Sequence, residues 1–157
     1  MLNNNKKIIL NHYSFPTKQV NFEELQKISR SWQVPFFTFR SIEQGCGDVL
    51  HLLVKKEGGC LEKCLFSASQ SCLITIAAAN IFCESCEGKN KDFIQNLTNN
   101  CQAMLEGKKY NLDICPDLQA FSDLVKFPNR LECLQIVIRG MVNAINYDDN
   151  KYKINIK

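Results

Sequence analysis

The segment that most constrains the fold is residues 48–68, where side chains alternate between two faces on either side of a glycine turn. In DVLHLLVKK, residues 48–56, Leu50, Leu52 and Val54 fall on one face and Val49, His51 and Leu53 on the other. The turn EGG follows at 57–59, and CLEKCLFSA returns after it. This pattern predicts a β-hairpin.

A third strand and several helices are expected around the hairpin. VPFFTF, residues 34–39, is aromatic enough for a strand, and Pro35 places it at a sheet edge or near a strand start. Beyond the hairpin the apolar spacing becomes helical, which predicts helices at about 72–86, 91–106, 117–125 and from Pro128 onward. A short helix is expected over residues 3–14. These elements predict one α+β domain over residues 1–157, with a three-stranded antiparallel sheet packed against about four helices and a short N-terminal helix.

Composition and charge narrow the classes of partner. The 157 residues are 45% hydrophobic and 22% charged, which fits one soluble domain with an ordinary core. A net charge of +3 on dispersed lysines gives no support for binding to nucleic acid or to an anionic membrane. The N-terminal MLNNNKKIIL lacks a signal-peptide core, and no apolar run is long enough to span a bilayer. We therefore expect a cytoplasmic protein without nucleic-acid or membrane partners.

The sequence contains nine cysteines. An odd number of cysteines and the lack of an export signal before them argue against a disulfide scaffold. Three of them fall at the ends of predicted elements. Cys46 lies between two glycines before a strand, Cys72 at the start of the apolar helix, and Cys133 in the first turns of the last helix. Helix starts favour a thiolate, which is the form that binds metals and attacks sulfur.

The other six cysteines lack that setting. Cys60 and Cys64 alternate along a strand, Cys101 continues an apolar helix stripe, and Cys115 precedes a proline. The pair formed by Cys83 and Cys86 is a CxxC, but it lies at the far end of the apolar helix rather than at a helix start. Packing inside the core is the favoured interpretation for this pair.

Asp48, two residues after Cys46, adds an oxygen donor to the three thiols at element ends. Cys46, Asp48, Cys72 and Cys133 have the right chemistry to hold a divalent metal ion if the fold gathers them. Sequence spacing does not decide whether they converge, and buried or incidental cysteines are the alternative. The two histidines, His12 and His51, are interpreted as structural.

Four segments resemble the U-type iron-sulfur cluster assembly proteins, the family of IscU and the N-terminal part of NifU. They are ILNHYSFP, CGDVLHLLVK with its hairpin, SCLITIAAAN and DLQAFSDLVKFPNRLEC. The resemblance covers almost the whole chain and is greatest to the SufU type. Residues 108–126 match the extra insert of SufU proteins, FPNR is similar to their FPAR segment, and Glu132 stands where IscU proteins place a histidine.

This resemblance implies a zinc site formed by Cys46, Asp48, Cys72 and Cys133. It also implies a zinc-dependent sulfurtransferase in which Cys46 accepts persulfide sulfur from a cysteine desulfurase of the SufS type. Three thiolates and one carboxylate leave the zinc complex with a formal charge of about −2, which Arg130, matching a family arginine, would partly offset.

Two other functions remain open at this point. The same cysteines could form a scaffold on which a transient iron-sulfur cluster is built and handed to apo-proteins or downstream SUF components. The chain could also be a structural zinc module that contacts partners without chemistry. The long insert and the missing histidine favour sulfur transfer.

Overall fold

The structure is a computed structural model, and it describes residues 3–41, 47–68 and 71–148. In chain order the elements are helices α1 (Asn4–Ser14) and α2 (Phe22–Trp32), strands β1 (Phe36–Arg40), β2 (Val49–Glu57) and β3 (Cys60–Ser67), helices α3 (Leu73–Cys86) and α4 (Lys91–Leu105), a 3₁₀ helix (Pro116–Lys126) and helix α5 (Pro128–Asn146). The predicted α+β class with a three-stranded antiparallel sheet is confirmed. None of the described helices is long and apolar enough to cross a membrane.

The sheet has the order β1-β2-β3, with both neighbouring pairs antiparallel. Phe36 pairs with Leu53 in the first ladder, and Val54 pairs with Cys64 in the second. Gly58 and Gly59 both have positive φ angles, +59° and +80°, which allow the tight turn between β2 and β3 at little steric cost. The hairpin predicted from the alternating pattern is therefore present.

One face of the sheet packs against the helices that follow it. Leu50 and Leu52 of β2 are buried on this face. Helix α5 approaches closely at Gly140, where a Cβ atom would lie 3.2 Å from Cδ2 of Leu52. Helix α3 is enclosed on nearly every side, because it contacts α1, β3, α5 and the 3₁₀ helix. Its continuous apolar sequence predicts this burial.

Helix α2 covers the other face of the sheet, and the sequence analysis did not predict it. The segment is mostly polar, and no element was predicted for it, although Phe22, Leu25 and Trp32 recur at helical spacing. Its start is nevertheless well defined, because the Asn21 side chain accepts a hydrogen bond from the Glu24 amide at 2.8 Å. The Phe22 ring lies 4.2 Å from that of His51, between ring centroids. Leu53, on the same face of β2 as His51, is consequently fully buried.

A polar network fastens α1 to the core. His12 Nε2 lies 2.8 Å from a carboxylate oxygen of Asp117 in the 3₁₀ helix, and His12 Nδ1 lies 2.9 Å from Nδ2 of the buried Asn80 in α3. The Asn80 side-chain oxygen accepts the Lys18 amide at 2.9 Å. Because buried polar groups are costly without partners, this network fixes α1, α3 and the 3₁₀ helix relative to one another.

The buried thiols make the stability of the fold sensitive to alkali. Burial raises the pKa of Cys101 in α4 from its ordinary value of 9.0 to about 12. The unfolded chain therefore releases this proton as the pH rises past about 9, while the folded chain retains it, so that alkali favours unfolding. We expect this thiol to cost about 1 kcal/mol of unfolding free energy between about pH 9 and about pH 10.

Urea unfolding of the wild type and of Cys101→Ala across this range checks that prediction. The alanine variant should lose stability less steeply with pH, because its unfolded state has one thiol fewer to ionise. Its lower stability at neutral pH, caused by the smaller side chain, is subtracted by comparing slopes rather than absolute values. Parallel slopes for the two proteins would show that Cys101 does not contribute.

Candidate metal centre

Three of the four predicted metal ligands come together where β2, α3 and α5 begin. Ligand atoms of Asp48, Cys72 and Cys133 all lie within 4.8 Å of one another. The two sulfurs are 3.4 Å apart, and the Cys72 sulfur lies 3.5 Å from Oδ2 of Asp48. The fourth predicted ligand, Cys46, lies outside the described residues. The fold thus gathers an oxygen donor and two sulfur donors that are far apart in sequence.

Two serines hold the backbone of Asp48 and Val49 where β2 begins. The Asp48 amide donates to the Ser41 hydroxyl at 2.9 Å, and the Ser41 amide donates to the Asp48 carbonyl at 3.1 Å. The Ser71 hydroxyl donates to the Val49 carbonyl at 2.9 Å and accepts the Val49 amide at 3.2 Å. These contacts link the start of β2 both to the end of β1 and to the residues that precede α3.

The Asp48 carboxylate satisfies the first turn of α3. Its Oδ1 accepts the backbone amide of Cys72 at 2.7 Å, and its Oδ2 accepts the Thr75 hydroxyl at 2.7 Å. Cys72 is the N-cap residue of this helix and makes no capping hydrogen bond with its own side chain. A carboxylate at this position is favoured by the unpaired amides and the positive dipole end of the helix. It also keeps lone pairs for a cation, because each oxygen has more than one acceptor site.

Thr75 is a residue of this site that the sequence analysis missed. It is fully buried, and its hydroxyl oxygen also lies 3.1 Å from the backbone carbonyl of Cys133. The Thr75 hydroxyl therefore contacts all three residues of the cluster, Asp48, Cys72 and Cys133. The available signal was weak: a hydroxyl residue three positions after Cys72, in the first turn of a mostly apolar helix.

The two thiols of the centre influence each other strongly. Their hydrogen bond lowers the pKa of Cys72 from 9.0 to about 6, while the same contact, together with burial, raises the pKa of Cys133. The contact therefore favours the thiolate form of Cys72, whose sulfur lies 3.5 Å from Oδ2 of Asp48. A divalent cation would balance this concentration of negative charge, and two sulfurs with one oxygen are a donor set that suits zinc.

The centre is partly open to solvent. Cys72 is half-buried, and Leu73 directly after it is exposed, whereas Cys133 and Asp48 are each 1% exposed. Arg130 is exposed in the first turn of α5, three residues before Cys133. Its predicted role of offsetting negative charge at the centre stays a prediction.

The remaining cysteines of the described chain lie away from this centre. Cys83 and Cys86 are fully buried in α3, and Cys101 and Cys115 are also buried. Cys60 is half-buried at the start of β3. Across residues 3–41, 47–68 and 71–148 the cluster of Asp48, Cys72 and Cys133 is the one group of three or more side chains arranged to hold a metal ion.

Comparison with solved structures finds proteins that share this fold. No protein-family model matches the sequence, and no curated protein matches it. Among solved structures, a protein described as an iron-sulfur cluster assembly scaffold for the SUF system, from Fervidobacterium islandicum AW-1, matches with a TM-score of 0.73 and 18% identity, over 89% of this chain and 95% of that one. This chain therefore has the same fold as the Fervidobacterium protein. The N-terminal part of a NifU-like protein from Brucella abortus matches with a TM-score of 0.70 and 12% identity, over 96% of this chain and 94% of that one.

Proposed function

We propose that this chain takes part in iron-sulfur cluster assembly as a zinc-bound sulfur acceptor, which receives persulfide sulfur through Cys46 from a cysteine desulfurase of the SufS type. The observation that carries the proposal is the convergence of Asp48, Cys72 and Cys133 from three separate elements. The fold shared with an iron-sulfur assembly protein of the SUF system supports it.

The proposed zinc ligands are Cys46, Asp48, Cys72 and Cys133. Zinc bound there would keep the cysteine thiols deprotonated at neutral pH and hold the chain segments together. Neighbouring groups of the chain orient these ligands. Hydrogen bonds from the Cys72 amide and the Thr75 hydroxyl orient the carboxylate of Asp48, and Cys72 and Cys133 are fixed by the helices that carry them.

Cys46 is the residue proposed to accept sulfur. Its thiolate would attack the outer sulfur of the desulfurase persulfide, so that a new sulfur–sulfur bond forms at Cys46 while the bond in the partner persulfide breaks. The partner cysteine leaves as a thiolate, and Cys46 carries the persulfide. Cys46 is chosen because it stands between Gly45 and Gly47 in the sequence, whereas Cys133 is buried in a helix and Cys72 caps one.

The experiment that tests this role uses Cys46→Ala. The wild type and the variant are incubated with a SufS-type desulfurase and sulfur-labelled cysteine, and the label bound to each chain is measured over time. We expect the wild type to acquire label and the variant to stay at background, because the attacking sulfur is absent. Cys60→Ala, which removes a half-buried thiol on β3, should acquire label normally. Labelling of Cys46→Ala at the wild-type rate would refute the assignment.

A second function is favoured by the description of the Fervidobacterium relative as a scaffold. In that role the same thiols would hold a transient iron-sulfur cluster for delivery to apo-proteins or downstream SUF components, since cysteine thiolates are the usual ligands of such clusters. The two functions differ in what the purified chain contains and does. One colourless zinc ion per chain with faster desulfurase turnover supports sulfur transfer, whereas a brown chromophore formed anaerobically with iron and sulfide supports scaffolding.

A further inference from the structure

A second pair of cysteines lies close together in the core, away from the metal centre. The sulfurs of Cys64 on β3 and Cys83 on α3 are 3.0 Å apart, and both residues are fully buried. Cys83 is eleven residues along the chain from Cys72, which corresponds to roughly 16 Å along a helix axis. The pair therefore belongs to the opposite end of α3 from Asp48, Cys72 and Cys133.

The surrounding contacts hold the two backbones in position. The Cys64 amide donates to a carboxylate oxygen of Glu87 at 3.0 Å, which joins β3 to the residue that ends α3. Glu87 also forms an ion pair with Lys18. The isolated bridge between Cys60 and Asn90 ties the start of β3 to the segment after α3. Both contacts join β3 to the C-terminal end of α3, next to the two sulfurs.

We propose that Cys64 and Cys83 are an oxidation site, a buried pair of thiols that closes to a disulfide between β3 and α3 when a small peroxide reaches it. A disulfide needs its sulfurs about 2 Å apart, so the pair has to close by only about 1 Å. The site is separate from the proposed metal centre and does not depend on the proposed sulfur transfer.

The reaction balances with hydrogen peroxide as the oxidant. One thiol sulfur attacks the peroxide, the oxygen–oxygen bond breaks, and a sulfenic acid and one water molecule form. The second thiol sulfur then attacks the sulfenic sulfur, a sulfur–sulfur bond forms, and a second water molecule leaves. Two thiols and one peroxide give one disulfide and two waters; the two sulfurs together lose two electrons, and the peroxide is reduced.

Burial makes oxidation of this pair slow and limits it to small oxidants. The hydrogen bond to Cys83 and the dry surroundings raise the pKa of Cys64 well above its ordinary value, so few thiolates exist while the core is closed. Oxidation therefore requires a local opening of the core that admits a molecule as small as peroxide. We expect the pair to react more slowly than the half-buried Cys72.

The test is peptide mapping of the full chain after exposure to hydrogen peroxide. Free thiols are blocked with N-ethylmaleimide in denaturant, and the protein is then digested with chymotrypsin. Trypsin is unsuitable because no lysine or arginine lies between Cys64 and Lys89, whereas chymotrypsin can cut after Phe66 and Phe82 and separate the two cysteines. We expect a linked pair of peptides, lighter by two hydrogen atoms than the sum of the two reduced peptides.

Two variants locate the link. Cys86→Ala removes the other buried cysteine of the same chymotryptic peptide and should retain the link to Cys64, whereas Cys83→Ala should lose it. Fragment ions of the wild-type linked peptides give the same assignment if a variant does not fold. The proposal is overturned if Cys64 is linked to Cys86, or if Cys64 and Cys83 remain fully alkylated when the exposure is prolonged well beyond complete oxidation of the half-buried Cys60. Sulfinic acid at either residue without a link would also overturn it.

Discussion

Replacing Cys133 with alanine is expected to lower the affinity of the chain for zinc by at least about a hundredfold, since loss of a supporting residue alone costs a metal site about ten- to a hundredfold. The Cys133 sulfur lies 3.4 Å from that of Cys72. Cys133 is the only ligand that α5 contributes to the described part of the cluster. Without it, Cys72 and Asp48 remain as ligands from the described residues. Competition with a chromophoric chelator measures the change in affinity.

Cys115→Ala is the matched control for that experiment. Cys115 is also buried, at 5% exposure, but it contacts the Ser85 hydroxyl rather than the cluster. The Cys115→Ala variant should bind one zinc ion per chain as the wild type does, although it also lacks a buried sulfur. Circular dichroism establishes that both variants are folded before their metal content is compared. Wild-type zinc affinity in Cys133→Ala would mean that the ion is held elsewhere.

Local patterns in the sequence were sufficient for most of the secondary structure. The hairpin follows from two-residue alternation around Gly58 and Gly59, and the long apolar segment before Gly88 indicates a helix buried on nearly every side. Pro128 marks the first turn of α5 because its missing amide is not needed there. Each of these signals lies within the element that it predicts, so no knowledge of the tertiary fold is required.

Helix α2 escaped prediction although its own sequence carries the signal. Asn21 caps its start, and apolar residues recur at helical spacing at Phe22, Leu25, Ile28 and Trp32. Its few apolar side chains pack against β2 and β3, and an isolated helix of this length is marginal in water. A second clue lies in β2. Leu53 is an apolar residue on the face opposite Leu50 and Leu52, and its presence indicates that something covers this second face of the sheet.

The candidate site was predictable in its parts but not in its assembly. Predicted positions near helix starts drew attention to Cys72 and Cys133. That criterion alone is not decisive, because Cys115 is the N-cap of the 3₁₀ helix and Cys60 begins β3. Their approach across 61 residues depends on how α3 and α5 pack, which spacing alone cannot give. Thr75 was missed because one hydroxyl in an apolar helix has no distinctive pattern. Its role becomes visible only when Asp48, 27 residues earlier, lies beside it.

Asp48 is expected to have two separable roles, one in folding and one in metal binding, and two substitutions distinguish them. Asp48→Ala removes the acceptor of the Cys72 amide, whereas the Thr75 hydroxyl keeps the Cys133 carbonyl as an acceptor 3.1 Å away. A donor left without a partner away from water costs about 1 to 3 kcal/mol, so we expect the metal-free variant to lose about 2 kcal/mol of unfolding free energy. Urea denaturation in the presence of a chelator measures this loss.

Asp48→Asn keeps the shape of the side chain and removes its charge. The amide oxygen can still accept the Cys72 amide, while the amide nitrogen can donate to the Thr75 hydroxyl, which is then free to donate to the Cys133 carbonyl 3.1 Å away. We therefore expect the metal-free asparagine variant to stay within about 1 kcal/mol of the wild type, because no buried group loses its partner. Its zinc affinity should fall at least about tenfold, because a neutral amide is a weaker ligand than a carboxylate. An asparagine variant as unstable as the alanine variant would show that the charge, rather than the hydrogen bonds, supports the fold, and undiminished zinc affinity would remove Asp48 from the ligand set.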